Sequence, residues 1–90
     1  MLRFDPSRQT TKFLRSVPEK HARQMLQKIQ SLLVNPMPQD AKPLKGHPFM
    51  RTDSGEYRII YRVEENKLHV ALIGKRNDDE VYRLLRRMNR

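Results

Sequence analysis

Apolar residues at Ala22, Met25, Leu26, Ile29, Leu32 and Leu33 recur at steps of three and four, the spacing that draws one stripe along a helix. Ser16-Val17-Pro18-Glu19 precedes this stripe in capping-box order, and Asn35-Pro36-Met37-Pro38 ends it, because proline brings no amide and restricts the residue before it. Upstream, Leu2-Arg3-Phe4 reads as a short strand. Asp5 then reads as an N-cap, with Pro6 in the first turn of a helix that runs through Phe13-Leu14. From Asp40 to Gly46 the pattern is that of a loop, and beyond it the period changes. Phe49 to Arg51, Tyr57 to Val63 and Lys67 to Ile73 are rich in branched and aromatic residues, with turn residues at Asp53-Ser54-Gly55 and Glu64-Glu65-Asn66, which predicts an antiparallel meander. A last helix opens at Asn77, with Glu80 three residues on, and carries Val81, Leu84, Leu85 and Met88 on one side.

The predicted order is β-α-α-β-β-β-α, an α+β fold expected to form one domain over residues 1–90. Two helices on one face of an antiparallel sheet would bury the stripe from Ala22 to Leu33 against Tyr57, Ile59, Tyr61 and Val63. Strand side chains alternate, so Arg58 and Arg62 are expected on the opposite face. Arg76 and Tyr82 fall where the last strand passes into the terminal helix, and a junction folded over that open face would close a cationic cleft.

Charge sharpens this picture. The chain holds 19 Lys and Arg against 10 Asp and Glu, a formal charge of +9, which favours a polyanionic partner: nucleic acid, an anionic membrane surface or an acidic protein. It has no cysteine, so neither a disulfide framework nor a thiolate metal site is available. No stretch approaches a membrane span, and the first residues begin no apolar run of signal-peptide length. A cytoplasmic protein without a membrane partner is expected.

Leu44-Lys45-Gly46, Met50-Arg51, Gly55-Glu56-Tyr57-Arg58-Ile59-Ile60-Tyr61, Gly74-Lys75-Arg76 and Val81-Tyr82 together resemble the successive motifs of the RelE branch of the RelE/ParE toxin superfamily. Phe13-Leu14-Arg15-Ser16-Val17-Pro18 and Asn35-Pro36 also sit in the usual places, so the resemblance spans nearly the whole chain. It implies a RelE-like fold and a ribosome-dependent mRNA interferase, held inactive by a cognate antitoxin, with the ribosome and mRNA as further partners. Such an enzyme needs no cofactor and no metal: the ribose 2′-OH attacks its own phosphate, the 5′-oxygen leaves, and a 2′,3′-cyclic phosphate forms. By the same resemblance Arg58 is the transition-state clamp, Arg76 assists the leaving group, Tyr82 orients the substrate, and Arg51 grips the RNA or activates its hydroxyl. Lys45, Arg62, Lys75 and Arg83 are expected to contact RNA.

The sequence departs from the family at Asp53, where a second basic residue often stands. Two readings fit it, a general base or a turn residue before Ser54-Gly55. Lys45 and His47 are other candidate bases, His47 the most attractive of the histidines because imidazole titrates near neutrality, though His47-Pro48 also reads as a plain loop; His21 and His69 read as structural or surface residues. Taken alone, Arg58 and Arg62 also fit solvated strand arginines, Tyr82 fits a core aromatic beside Val81 and Leu85, and Arg83, Arg86, Arg87 and Arg90 fit a helix face matched to its dipole. The rival within the superfamily is a ParE-type toxin that acts on DNA gyrase and generally lacks the pair matched by Arg76 and Tyr82. A third class is a nucleic-acid-binding module without activity. An antitoxin for this chain is expected to bring an acidic, amphipathic segment to its apolar and basic surface.

Overall fold

A computed structural model of the chain describes residues 1–78 and 80–88. Strand β1 (Arg3–Pro6) leads into helices α1 (Arg8–Ser16) and α2 (Glu19–Val34); then come strands β2 (Lys42–Pro43), β3 (Met50–Ser54), β4 (Tyr57–Glu64) and β5 (Lys67–Lys75), a 3₁₀ turn over Arg76–Asp78, and helix α3 (Glu80–Met88). The five strands form one sheet in the order β1-β5-β4-β3-β2. The meander is antiparallel as expected, whereas β1 joins β5 in parallel, so the sheet is mixed. The α+β class and the element order are those read from the sequence, with the two-residue β2 added where a loop was expected.

Several local expectations are corrected by contacts distant in sequence. Asp5 does not cap α1: it and Pro6 extend β1 opposite His69 and Val70, and the Asp5 carboxylate binds His69 Nδ1 at 2.9 Å. Ser7 is the cap instead, its Oγ accepting from the Thr10 amide at 3.1 Å. Ser16 is the last residue of α1 and its hydroxyl donates to the Phe13 carbonyl, so no capping box forms; α2 starts after Pro18 without a side-chain cap. Asn77 lies inside the 3₁₀ turn rather than at the start of α3. The expectation for the Met88 side chain, like that for Arg90, falls outside what is described.

The first two helices cover one face. Met25, Ile29 and Leu32 of α2 pack there against Tyr57, Ile59 and Tyr61 of β4, whereas Leu26 is 40 % and Val63 46 % exposed, contrary to the expected stripe and strand. A bulge in β5 gives both faces a core. Ile60 pairs with Leu72 and Tyr61 with Val70, so Ala71 is one residue too many for β4. Leu68, Val70 and Ile73 therefore face α1 and α2, while Ala71 and Leu72 both turn to the other side and meet Ile60, Val81 and Leu85. Helix α3 is thus seated on the face that carries Arg58.

Past the end of β1, the first turn of α1 stands in for a neighbouring strand. Ser7 Oγ donates to the Ala71 carbonyl at 2.6 Å and Thr10 Oγ1 to that of Val70 at 2.9 Å. The Gln9 carboxamide closes both ends of Ile73, donating to its carbonyl at 2.9 Å and accepting from its amide at 3.0 Å. The free edge of β5 is satisfied by side chains where the ladder has run out.

Candidate active site

The β3–β4 hairpin and the end of β5 set out the chemistry. Gly55, with φ 59, opens the two-residue turn, a backbone that side-chain-bearing residues rarely adopt. This turn fixes the register Asp53↔Arg58 and Arg51↔Ile60, and on the other side Arg58 faces Gly74 of β5. Directly opposed residues share a sheet face, so Arg51, Asp53 and Arg58 project together toward the side on which α3 lies. The Arg76 amide donates to the Glu56 carbonyl at 3.0 Å and extends the β5 pairing by one step, which carries its side chain to the same corner.

Four side chains meet there. Arg58 Nε donates to Asp53 Oδ1 at 3.0 Å and Arg58 Nη1 to the Tyr82 hydroxyl at 3.0 Å. Arg76 Nη1 stands 3.6 Å from the other oxygen of the same carboxylate, Oδ2. Asp53 is therefore a strand residue shared by two guanidinium groups, not the turn residue of the second sequence reading. Burial works against the Arg58 charge, but the hydrogen bonds and charge of Asp53 and Tyr82 together outweigh it and hold the guanidinium above its ordinary pKa. The Arg58 side chain is 16 % exposed, against 32 % for Asp53 and 46 % for Arg76, so the cluster opens to solvent on the Arg76 side. Guanidinium has five N–H donors, and among the described residues two of those of Arg58 are engaged, which leaves three toward a ligand.

Helix α3 comes close enough for the Tyr82 contact because residue 74 is glycine. A Cβ there would lie 3.0 Å from Val81 Cγ1 and 3.5 Å from Glu80 Cβ. Asp40 braces the outer strand: it accepts from Thr52 Oγ1 at 2.6 Å, from Lys28 Nζ at 3.2 Å and from the Asp53 amide at 3.4 Å. The Thr52 hydrogen bond leads the causes that lower its pKa. Neither Gln9, which anchors β5, nor Asp40, which anchors β3, was singled out from the sequence, since both act through partners that sequence spacing does not display.

The other expected residues are placed less centrally. Arg51 shares the face of the cluster and its guanidinium makes no hydrogen bond or ion pair among the described residues. Arg62 lies on that face beyond Ile60, over the Phe49 ring at 5.5 Å and paired with Glu64 at 3.0 Å. Lys75 is opposite Tyr57, which assigns it to the α1 and α2 side of the sheet, away from Arg58. Lys45 is exposed in the turn after β2, and His47 follows it there, its amide donating to the Leu44 carbonyl. Arg83 borders a groove of about 330 Å³ with Glu80 and Arg87, and a second groove of about 370 Å³ runs between Ser7–Gln9 and Leu84; neither includes Arg58, Arg76 or Tyr82. His21 binds the Tyr57 hydroxyl at 2.7 Å, a packing role like that of His69. Among the described residues no three His, Asp or Glu side chains gather as metal ligands would, and no helix is long and apolar enough to cross a membrane.

Residues 7–80 match the model of the ParE toxin of type II toxin-antitoxin systems, parDE. The chain belongs to the RelE/ParE toxin superfamily. The toxin superposes on the RelE of an archaeal RelE-RelB complex from Pyrococcus horikoshii with a TM-score of 0.75, at 27 % identity over 86 % of this chain and 97 % of the other. Against the isolated E. coli RelE toxin the TM-score is 0.73, at 24 % identity over 98 % and 99 % of the two chains. For the intact E. coli RelBE complex the values are 0.67, 25 %, 83 % and 96 %. No curated protein matches the sequence significantly. The toxin is thus the toxic component of a type II toxin-antitoxin system with a RelE-like fold.

Proposed function

We propose that this toxin is a ribosome-dependent endoribonuclease that cuts mRNA in the ribosomal A site, is neutralised by a cognate antitoxin as its RelE relatives are paired with RelB, and acts in the cytoplasm. One observation carries the reading: Arg58, distant in sequence from Arg76 and Tyr82, joins them around one small, partly open corner of the sheet. The scissile phosphate enters this corner. The 2′-OH attacks phosphorus as its proton passes to a base, the bond to the 5′-oxygen breaks, and that oxygen takes up a proton; a 2′,3′-cyclic phosphate and a 5′-hydroxyl remain. Arg58 meets the charge that builds on the phosphorane with its unengaged donors, because a fixed guanidinium fork matches phosphate oxygens. Arg76 lies at the open side and serves the departing oxygen, Tyr82 holds Arg58 and the nucleotide in line, and Arg51 grips the RNA strand. Asp53 or His47 supplies the base, while Lys45, Arg62, Lys75 and Arg83 add a broad, salt-sensitive attraction for RNA.

The test is to induce the wild type beside Arg58→Ala and Arg76→Ala and to map mRNA 5′ ends. Wild type should cut at ribosome-occupied codons, and loss of Arg58 should lower cutting by about 100-fold or more. Absence of such cuts in the wild type, or cutting by both variants at the wild-type level, overturns the proposal. The match to the ParE model favours one other reading, a gyrase inhibitor, and that alternative predicts lost supercoiling with intact mRNA.

A further inference from the structure

Asp53 occupies the place where an anion would bind. Its two oxygens are divided between two cations, Oδ1 with Arg58 at 3.0 Å and Oδ2 with Arg76 at 3.6 Å, as the non-bridging oxygens of a phosphodiester would be. The carboxylate is held there by the sheet, since Asp53 is opposed to Arg58 in the β3–β4 ladder and its amide is bound by Asp40. Only the side chain can leave, and it is a third exposed, next to the still more open Arg76.

We propose that Asp53 is an internal counter-anion: it fills the phosphate seat between Arg58 and Arg76, and an RNA phosphate binds by displacing it. This rests on the proposal that the corner receives RNA. An intramolecular carboxylate competes at an effective concentration that a dilute ligand does not match. A short, freely diffusing RNA therefore binds poorly, whereas RNA held in place by further contacts pushes the carboxylate aside. Asp53 thus sets which RNA the site accepts, favouring an immobilised message over a free one. Exchange also keeps the two arginines from facing each other without an anion between them, before and after the ligand arrives.

The experiment is fluorescence anisotropy on the full chain with a labelled 2′-O-methyl oligoribonucleotide, which binds without being cut. Asp53→Asn should tighten binding by about 10-fold, the size of one charge-assisted contact relieved of its competitor. Glu19→Gln raises the net charge equally on exposed α2 and should change binding by less than about twofold. Adding Arg58→Ala to Asp53→Asn should abolish the gain. Asp53→Ala provides the same reading should the asparagine variant fold poorly, as judged by circular dichroism. Binding by both Asp53 variants that is no tighter than that of Glu19→Gln, or weaker than wild type, overturns the proposal and makes Asp53 a residue that merely positions the arginines. Because the probe cannot be cleaved, the outcomes separate: tighter binding with no ribosomal cuts by the wild type removes the nuclease and keeps the counter-anion, and the converse does the reverse.

Discussion

Arg58 Nη1 donates to the Tyr82 hydroxyl at 3.0 Å, a bond between strand β4 and helix α3 that spans 24 residues of sequence. The phenol fixes a second direction of a guanidinium whose Nε is already committed to Asp53. Tyr82→Phe removes that restraint and keeps the ring. Thermal unfolding should move little, whereas mRNA cutting in a purified translation reaction should fall by about 10-fold, because a clamp that samples several poses spends less time in line. An unchanged cutting rate would show that Arg58 needs no help from the helix.

The approach of α3 depends on Gly74. In Gly74→Ala the new methyl lies 3.0 Å from Val81 Cγ1, within a core that also holds Ile60, Leu72 and Leu85. Val81 and the helix that bears it must give way by a few tenths of an ångström, at a cost of about 1–3 kcal/mol. Tyr82 sits one residue on and moves with it. Urea unfolding should show the lost stability, and cutting should fall further than in Tyr82→Phe, since both the phenol and the helix are displaced.

Gln9 should matter for stability alone. Its carboxamide closes the amide and carbonyl of Ile73, a residue with no exposed surface, beyond the end of β1. Gln9→Ala leaves two backbone groups of β5 without partners and should destabilise the fold by roughly 2–4 kcal/mol if no water reaches them. Urea titration at neutral pH measures this. A loss below about 0.5 kcal/mol would mean that solvent replaces the side chain.

These elements mark what the sequence discloses and what it conceals. The α2 stripe was legible because its partners repeat at the helical period, and the alternation in Tyr57-Arg58-Ile59-Ile60-Tyr61 placed Arg58 opposite the tyrosines. The caps failed for one reason: Asp5-Pro6 and Ser16 carry genuine cap chemistry, but their places are decided by the parallel pairing with β5 and by where α1 stops. The bulge at Ala71 has no local signature and reassigns one face of β5. It explains how Ala71 and Leu72, adjacent in sequence, support the same helix. At the site, Arg58, Arg76 and Tyr82 were named from motifs. That Asp53 would lie between the two arginines required the strand register, because Asp-Ser-Gly reads as a turn until β3 is seen to continue through Ser54.

Tyr61 offers a titration that tests the core itself. It is fully buried, its hydroxyl donates to the Pro36 carbonyl at 2.6 Å, and burial, aided by the negative charge of Asp40, pushes its pKa from 10.0 up to about 12. The phenol is neutral when protonated, so the native state holds its proton after the unfolded chain has released it. Between pH 10 and about 12 the unfolded state binds fewer protons than the native one, and stability falls as pH rises through that window. Two pKa units correspond to a loss of roughly 2–3 kcal/mol. Tyr61→Phe lacks the hydroxyl bond and should be less stable than wild type at neutral pH by about 1 kcal/mol. It also lacks the titrating group, so the wild-type advantage should shrink above pH 10 and reverse near pH 11, with the lysines common to both proteins cancelling in the difference. Urea midpoints measured for the pair at several alkaline pH values provide the check. Curves that remain parallel across the window would show that the phenol reaches water in the folded toxin, and that the loop around Pro36 is not closed over the sheet.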